Sequence, residues 1–419
     1  MRVTSEPLSE NIEQRKAEIS SADIVVGIAS FNNARTISHV VNAVDAGLGK
    51  YFPNEKAVII NSDGGSTDKT PDVVLNTKAD HKAIFLSHHL YPVNRVTTPY
   101  HGIPGKGSAF RAIFELAVSA GAKACCVVDA DLRSITPEWI ELLLTPVYKE
   151  GFDFVAPLYS RHKYDGTITN SIIYPATRAL YGKRIRQPIG GEFGFSGNMA
   201  KFYLTQDVWD SDIARFGIDI WMTTEAIAGK YNICQSYLGA KIHDPKDPGS
   251  DLRDMFVQVI GSLFSLTEKH YREWKGITHS SDVPTFGFKY SVGVVPVKVN
   301  IERMIKHYLV GIENLQDVWA GFLDREIISS LKKISAQPQA DFRFPKEIWI
   351  RIIYDYFHAF HNKKLSPDHL IKSLIPLYYG RTASFCLEVA EKTDDEAEEE
   401  IEKVCVEYEE QKNYLLSHW

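Results

Sequence analysis

Along the first 130 positions, short continuous apolar runs alternate with helically spaced apolar stripes. Ile24, Val25, Val26, Gly27 and Ile28 make one run, within residues 23–29, and a polar turn follows at 30–33. Ile37, Val40, Val41 and Val44 then recur at the spacing of one helix face. A second run, 57–61, leads into Ser62, Asp63, Gly64, Gly65, Ser66, Thr67 and Asp68, and a helix carrying Val73 and Val74 follows. Residues 83–86 are expected as a third strand. Residues 107–120 are again helical, with Ala109, Ile113, Leu116 and Ala117 on the apolar side, and the run 125–128 stops at Asp129. Strands that alternate with helices in this way predict an α/β fold, a mostly parallel sheet covered by helices on both faces. Ligands of such sheets bind beyond the carboxyl ends of the strands, and the polar clusters of this chain fall at those ends.

After about residue 250 the pattern changes. Leu252, Met255, Phe256, Val259, Ile260, Leu263 and Phe264 form a helical stripe, with Ser250 placed to cap its start. Further helical stretches are expected at 300–315, 323–334, 346–360, 369–377 and 395–414, and 282–299, rich in Gly, Val and Pro, is expected as a linker or hairpin. The organisation predicted is an N-terminal extension at 1–21, a catalytic α/β domain at 22–265 and a mainly helical C-terminal domain at 266–419. A chain of 419 residues exceeds the size at which one core stops growing. No internal repeat is visible, and disorder is expected only near the acidic run 394–400.

Composition narrows the function classes. A net charge of −6 gives no general electrostatic case for nucleic acid. The five cysteines, Cys125, Cys126, Cys234, Cys386 and Cys405, are odd in number and form no CxxC pair, which fits buried thiols in a reducing compartment. Residues 1–21 are too polar for a signal peptide, and no apolar run reaches the ~20 residues of a membrane span. A cytoplasmic protein is therefore expected.

Four clusters carry candidate chemistry. Asp129 and Asp131, two apart where an apolar strand ends, could aim at one site in the adjoining loop and offer the oxygen ligands that Mg²⁺ or Mn²⁺ require; a solvated loop or helix cap is the alternative. Pro104, Gly105, Lys106 and Gly107 precede a helix, where glycines let backbone amides approach a phosphate and Lys106 adds charge. The spacing is not that of a P-loop, and a plain helix-start turn is the favoured reading of this stretch alone. Asp63 ends a strand before Gly-Gly and could accept hydrogen bonds from a base or ribose, or shape an ordinary turn. His243, in Lys241, Ile242, His243, Asp244, matters only if it meets Asp131 in space.

Taken in order, Asn32; Asp63 to Asp68; Pro104 to Gly107; Asp129, Ala130, Asp131; Gln187, Pro188, Ile189, Gly190, Gly191, Glu192; Gly217, Ile218, Asp219; and His243 resemble the retaining GT-A glycosyltransferases that make glucosyl- or mannosylglycerates. The likeness spans roughly residues 22–265 and rests on the order of short motifs. It implies a GT-A sheet, and a hexose moved from a GDP- or UDP-sugar to a small hydroxy acid. By this resemblance Asp131 and His243 would hold a divalent cation (Mg²⁺ or Mn²⁺). Asn32, Asp63, Lys106 and Asp129 would bind the donor. Asp219 would hold hydroxyls of the transferred sugar, with Asp219 and Glu192 the only motif carboxylates to consider for catalysis. Retention implies same-face substitution assisted by the leaving phosphate; double displacement would need a carboxylate close below the anomeric carbon.

Two relatives, mannosylglycerate synthase and glucosyl-3-phosphoglycerate synthase, compete. Arg161, Asp165 and Thr169 keep the spacing by which the former holds glycerate, and Met255 corresponds to a Met near its acceptor. The glycine-rich element by which the latter holds an acceptor phosphate is missing, so free D-glycerate is the expected acceptor and 3-phosphoglycerate the alternative. The chain departs from mannosylglycerate synthase at Ser30 to Asn33, which lacks its Glu, and at Lys246, where that enzyme has a Tyr. The first departure leaves GDP and UDP both open. Association of two copies through the helical domain is a further candidate. A non-catalytic nucleotide-sugar-binding protein and a nucleotidyltransferase are the rivals; the latter normally carries a Gly-rich loop after the first strand, and 29–35 has no glycine.

Overall fold

The computed structural model describes residues 16, 19, 21–77, 93–99, 104–242, 253–290 and 293–419. Contacts gather the chain into two compact units: Met1–Ser160, Gly190–Asp244 and Val283–Gly293 form the first, and Arg161–Ile189, Pro245–Asp282 and Val294–Trp419 the second. The units interleave in sequence where a single boundary at residue 265 was expected. The short strand Thr285–Phe286 pairs with the sheet and so returns to the first unit. The stripe beginning at Arg253 turns its apolar face to other helices and belongs to the second.

In the first unit β1 (Ile24–Ser30), α1 (Ile37–Tyr51), β2 (Ala57–Asp63), α2 (Thr70–Asn76), β3 (Asn94–Pro99), α3 (Lys106–Ser119), β4 (Ala124–Asp129), α4 (Pro137–Tyr148) and β5 (Phe154–Ser160) follow one another. After the second unit's first segment come β6 (Phe193–Ser196), α5 (Gly197–Leu204), α6 (Ile218–Ala228), β7 (Ile233–Ala240) and β8 (Thr285–Phe286). The eight strands lie in the order β3-β2-β1-β4-β6-β5-β7-β8. All neighbours are parallel except β6, which runs antiparallel to β4 and β5. The expected strand at 83–86 lies outside the described residues.

The inner strands are continuous apolar runs because both faces are covered. Ile24, Val26 and Ile28 pack in one core with Val40, Val41 and Val44 of α1 and Ile140 and Leu143 of α4. On the opposite face a Cβ at Gly27 would lie 2.5 Å from the Ile113 side chain of α3, so the missing side chain lets that helix sit close.

The second unit is almost wholly helical. The Pro367–Glu388 helix is buried on nearly every side from Leu370 to Cys386, as a central helix must be. The acidic run, where composition allowed disorder but apolar spacing predicted a helix over 395–414, opens the Asp394–Glu410 helix. Thr393 caps the backbone of Glu396, whose carboxylate returns to the Thr393 backbone, a complete capping box. All five cysteines are free and buried. Among the described residues no helix is long and apolar enough to cross a membrane.

Candidate active site

Parallel register sets the strand ends side by side: Ser30 of β1 is level with Asp63 of β2, and Ala29 with Asp129 of β4. The strand order reverses direction between β1 and β4, the kind of place where open α/β sheets bind ligands. Asp63 is buried and already accepts from Ser30 Oγ (2.9 Å), the Gly65 and Ser66 amides (3.0 and 2.8 Å) and Ser66 Oγ (2.6 Å). An ionised carboxylate has about four acceptor positions, so Asp63 is engaged in shaping its own turn. Asn32, at φ 55°, accepts from the Thr67 amide at 2.9 Å, and its own amide donates to Ser66 Oγ at 2.8 Å. These bonds tie the loop after β1 to the loop after β2.

Beyond β4 the charged groups converge. Gly105 and Gly107 let the start of α3 lie against 213–215: a Cβ at Gly107 would be 1.9 Å from the Ile213 carbonyl oxygen, and the Gly107 amide donates to Arg215 O at 3.1 Å. This close approach fixes Lys106. Its Nζ is 2.8 Å from Asp129 Oδ1 and 3.2 Å from Asp219 Oδ2, in the first turn of α6. Lys241, just beyond β7, reaches Asp129 Oδ2 (3.0 Å), both Glu192 oxygens (2.8 and 2.9 Å) and Gly190 O (2.7 Å). The Tyr159 hydroxyl donates to Glu192. Gly191 closes the loop at φ 95°, and a Cβ there would lie 2.5 Å from Asp129 Oδ2, so only glycine fits.

Two lysines thus face three carboxylates in a water-poor site. Burial opposes the charge of Lys106, but Asp129 and Asp219 outweigh it and its pKa rises. Burial would raise Asp129, yet Lys106 and Lys241 hold it well below the usual carboxylate range. Burial pushes Asp219 up against the pull of Lys106. Glu192, with no exposure, is pushed up to about 7 by burial, with Lys241 opposing and the Asp129 charge adding to the rise. Asp219 Oδ1 is buried with no hydrogen-bond partner. Such an orphan acceptor costs on the order of 1–3 kcal/mol.

Asp131 is half-buried two residues beyond β4, and its carboxylate takes no hydrogen bond or ion pair among the described residues. Its expected partner His243, like Lys246 and Ser250, lies outside the described residues. Among the described residues no cluster of three or more His, Cys, Asp or Glu could hold a metal. Arg161, Asp165, Thr169 and Met255 belong to the second unit. Arg161 Nη1 lies 3.4 Å from Asp165 Oδ2, and the Asp165 Oδ1 accepts from the Gly166 amide at 2.8 Å. Thr169, buried, begins a π-helical turn that ends at Ile173, a feature frequent at functional sites. Met255 is half-buried in the first turn of the Arg253–Lys269 helix.

Sequence reasoning overlooked Lys241 and Tyr159. The signal for Lys241 was present: it is the first charged residue after a buried strand, the logic that singled out Asp129. Tyr159 had no such mark, since an aromatic near a strand end is ordinarily core.

Residues 25–209 match the family model described as Glycosyl transferase family 2. No curated protein matches the chain. Among solved structures, glucosyl-3-phosphoglycerate synthase from Mycobacterium tuberculosis in complex with Mn²⁺, UDP and glucosyl-3-phosphoglycerate is 20% identical, over 63% of this chain and 86% of that one, with a TM-score of 0.42. The same enzyme with Mn²⁺, UDP-glucose and phosphoglyceric acid is 18% identical over 70% and 94%, with a TM-score of 0.43. With 25–209 matched by the family model and its strands in a mostly parallel eight-stranded sheet, the first unit has the GT-A fold.

Proposed function

We propose that this chain is a divalent-cation-dependent, retaining hexosyltransferase that moves mannose or glucose from a GDP- or UDP-sugar to D-glycerate or a similar small hydroxy acid. The observation that carries the reading is the unpartnered, buried Asp219 Oδ1, in a cluster of fixed charges at the carboxyl end of the sheet. A carboxylate only accepts hydrogen bonds, and sugar hydroxyls donate them. A loop motif that served only to cap a helix would not need a buried carboxylate held by Lys106 through one oxygen with the other left bare.

Lys106 faces the donor's diphosphate, near the amino end of α3, where backbone amides add to its charge. Asp129 holds Lys106 and Lys241 at their stations. Glu192, with both oxygens on Lys241 and one also on Tyr159, positions Lys241 rather than attacking the sugar, in keeping with same-face substitution. Asn32 and Asp63 shape the nucleoside pocket through their loops.

Asp131, exposed enough to be reached and held by no other side chain among the described residues, fits a cation such as Mg²⁺ or Mn²⁺. Such ions use one or two carboxylates and complete their shell with phosphate and water; His243 is the proposed second ligand. The cation would neutralise the charge that develops on the departing nucleotide. Arg161, with Asp165 and Thr169, would bind the acceptor carboxylate and hydroxyls, since a guanidinium fork suits a carboxylate; Met255 would lie beside them. The missing glycine-rich phosphate element favours unphosphorylated glycerate over 3-phosphoglycerate.

The test is nucleotide release and sugar transfer across a panel of GDP- and UDP-hexoses with D-glycerate, 3-phosphoglycerate and lactate, with Mg²⁺ or Mn²⁺ added. A metal-dependent glycoside product is expected. Full activity after chelation, or nucleotide binding with no transfer to any acceptor, would reject the assignment, the latter in favour of a binding protein.

A further inference from the structure

The second unit holds a cavity of about 770 Å³ between the Ile301–Ala320 and Pro367–Glu388 helices and the start of the Arg253–Lys269 helix. That volume lies within the roughly 300–1,000 Å³ of small-molecule sites. The two long helices cross antiparallel. A Cβ at Gly380 would meet Tyr308, one at Gly311 would lie 2.3 Å from Pro376, and Trp319 Nε1 donates to the Ser373 carbonyl. Gly311 against Pro376 is the closest of these approaches and forms the floor. Pro376 also leaves the carbonyl one turn earlier without its helical partner.

The register sorts the lining chemically. Arg303 and His307 stand at the Tyr379 end, with the His307 ring 5.2 Å from that of Tyr379. Arg253 joins them, one turn before Phe256, whose ring packs 4.7 Å from Tyr378. Val310, Ile375 and Pro376 make an apolar middle. His369 and Lys372 stand at the far end, and Lys372 is already paired with Asp368 at 2.8 Å. Among the described residues no carboxylate lines the cavity, and neither Arg253 nor Arg303 has an acidic partner. Two unpaired guanidiniums and an imidazole over an apolar trough, in a chain of net charge −6, form a locally basic site for a ligand that is anionic at one end and greasy along its body.

We infer that this cavity binds an amphiphilic anion, a long-chain phosphate or carboxylate. Its head would lie at Arg253, Arg303 and His307, where guanidinium forks match phosphate and carboxylate oxygens, and its chain would lie over Val310 and Pro376. The inference uses only the helical unit and stands whether or not the sheet unit transfers sugars.

The experiment is calorimetric titration of the full chain with dodecyl phosphate, with dodecanol and inorganic phosphate as separate probes, and sedimentation with phosphatidylcholine vesicles with and without phosphatidate. Dodecyl phosphate is expected to bind saturably at one site per chain, with the other two free probes weaker by about tenfold or more. The doubly substituted R253Q/R303Q should weaken it by a similar factor. V310W, at a side chain 49% exposed and thus tolerant of change, should block it by filling the trough. Sedimentation with phosphatidate vesicles, lost in R253Q/R303Q, would support the inference and make the ligand's source a membrane. Equal binding of dodecanol, undiminished binding in R253Q/R303Q, or no saturable binding would overturn it. So would a concentration-dependent dimer that V310W abolishes, which would give the trough to a second copy of the chain.

Discussion

Two buried groups of ion pairs use similar chemistry to opposite ends. In the helical unit Arg178, 2% exposed, donates through Nε to Ser280 Oγ and Glu409 and through Nη1 to the Tyr174 hydroxyl and Glu402. Its two acids sit seven apart on one face of the Asp394–Glu410 helix, so helical geometry alone brings them to one cation. In the sheet unit Lys106, Lys241, Asp129, Glu192 and Asp219 come from strand ends and glycine-bearing loops far apart in sequence. There the acids outnumber the lysines, and Asp219 Oδ1 is left bare. A saturated network locks helices together. An unsaturated one held rigid by loops keeps an acceptor waiting, at a cost in stability that a bound ligand would offset.

The largest expected effect tests the bare oxygen. Asp219→Asn should lower sugar transfer about 10²–10³-fold, the scale of losing one preorganised polar contact to the reacting group, while the melting temperature holds or rises. If activity survives and stability falls, the sheet cluster is structural after all. Arg178→Ala should do the reverse. It should cost stability toward the lower end of the roughly 3–5 kcal/mol of a broken buried pair, because Glu402 retains 42% exposure. Urea unfolding would measure the loss, and turnover of the folded fraction should be unchanged. A large drop in turnover with no change in midpoint would erase the contrast.

How much of this was legible follows from where each contact is encoded. β1, β2 and β4 were readable because strands buried on both faces are continuous apolar runs, and the ends of those runs set Asp63 beside Ser30 and Asp129 beside Ala29. Lys106 and Asp219 were named from motifs, but their meeting depends on the close approach of Gly107 to Ile213, which no local pattern announces. Lys241 was passed over because its partners lie 49 and 112 positions away. The Asp394 run was legible in part: its apolar spacing predicted the helix that its composition put in question, but not the distant arginines, Arg178 and Arg186, that supply the cations an isolated acidic helix would lack.

A smaller effect probes whether Glu192 is tuned by burial or by Lys241. Its folded pKa of about 7 lies above the ordinary 4.5. Between those values the folded protein keeps a proton that the unfolded chain has released, so the stability from this group is fully present below about pH 4.5 and declines as pH rises to about 7. Glu192→Gln cannot titrate. The melting temperature of the wild type minus that of the variant should therefore fall across this window and level off above it. A difference that grows with pH would mean that Lys241 rules the site and that the carboxylate is ionised throughout.

The smallest effect separates the helix from the ion pairs it carries. Thr393→Ala removes the side chain that accepts from the Glu396 amide at 3.2 Å and should cost about 1 kcal/mol. The loss should be confined to the first turn, because Glu402 and Glu409 lie later in the helix, where its backbone bonds do not depend on the cap. Hydrogen exchange should then quicken at 394–397 and stay slow near Glu402. If protection is lost through Glu402 as well, the Arg178 network has no stability independent of the helix start. The saturated cluster would then be a consequence of the fold rather than one of the things that hold it.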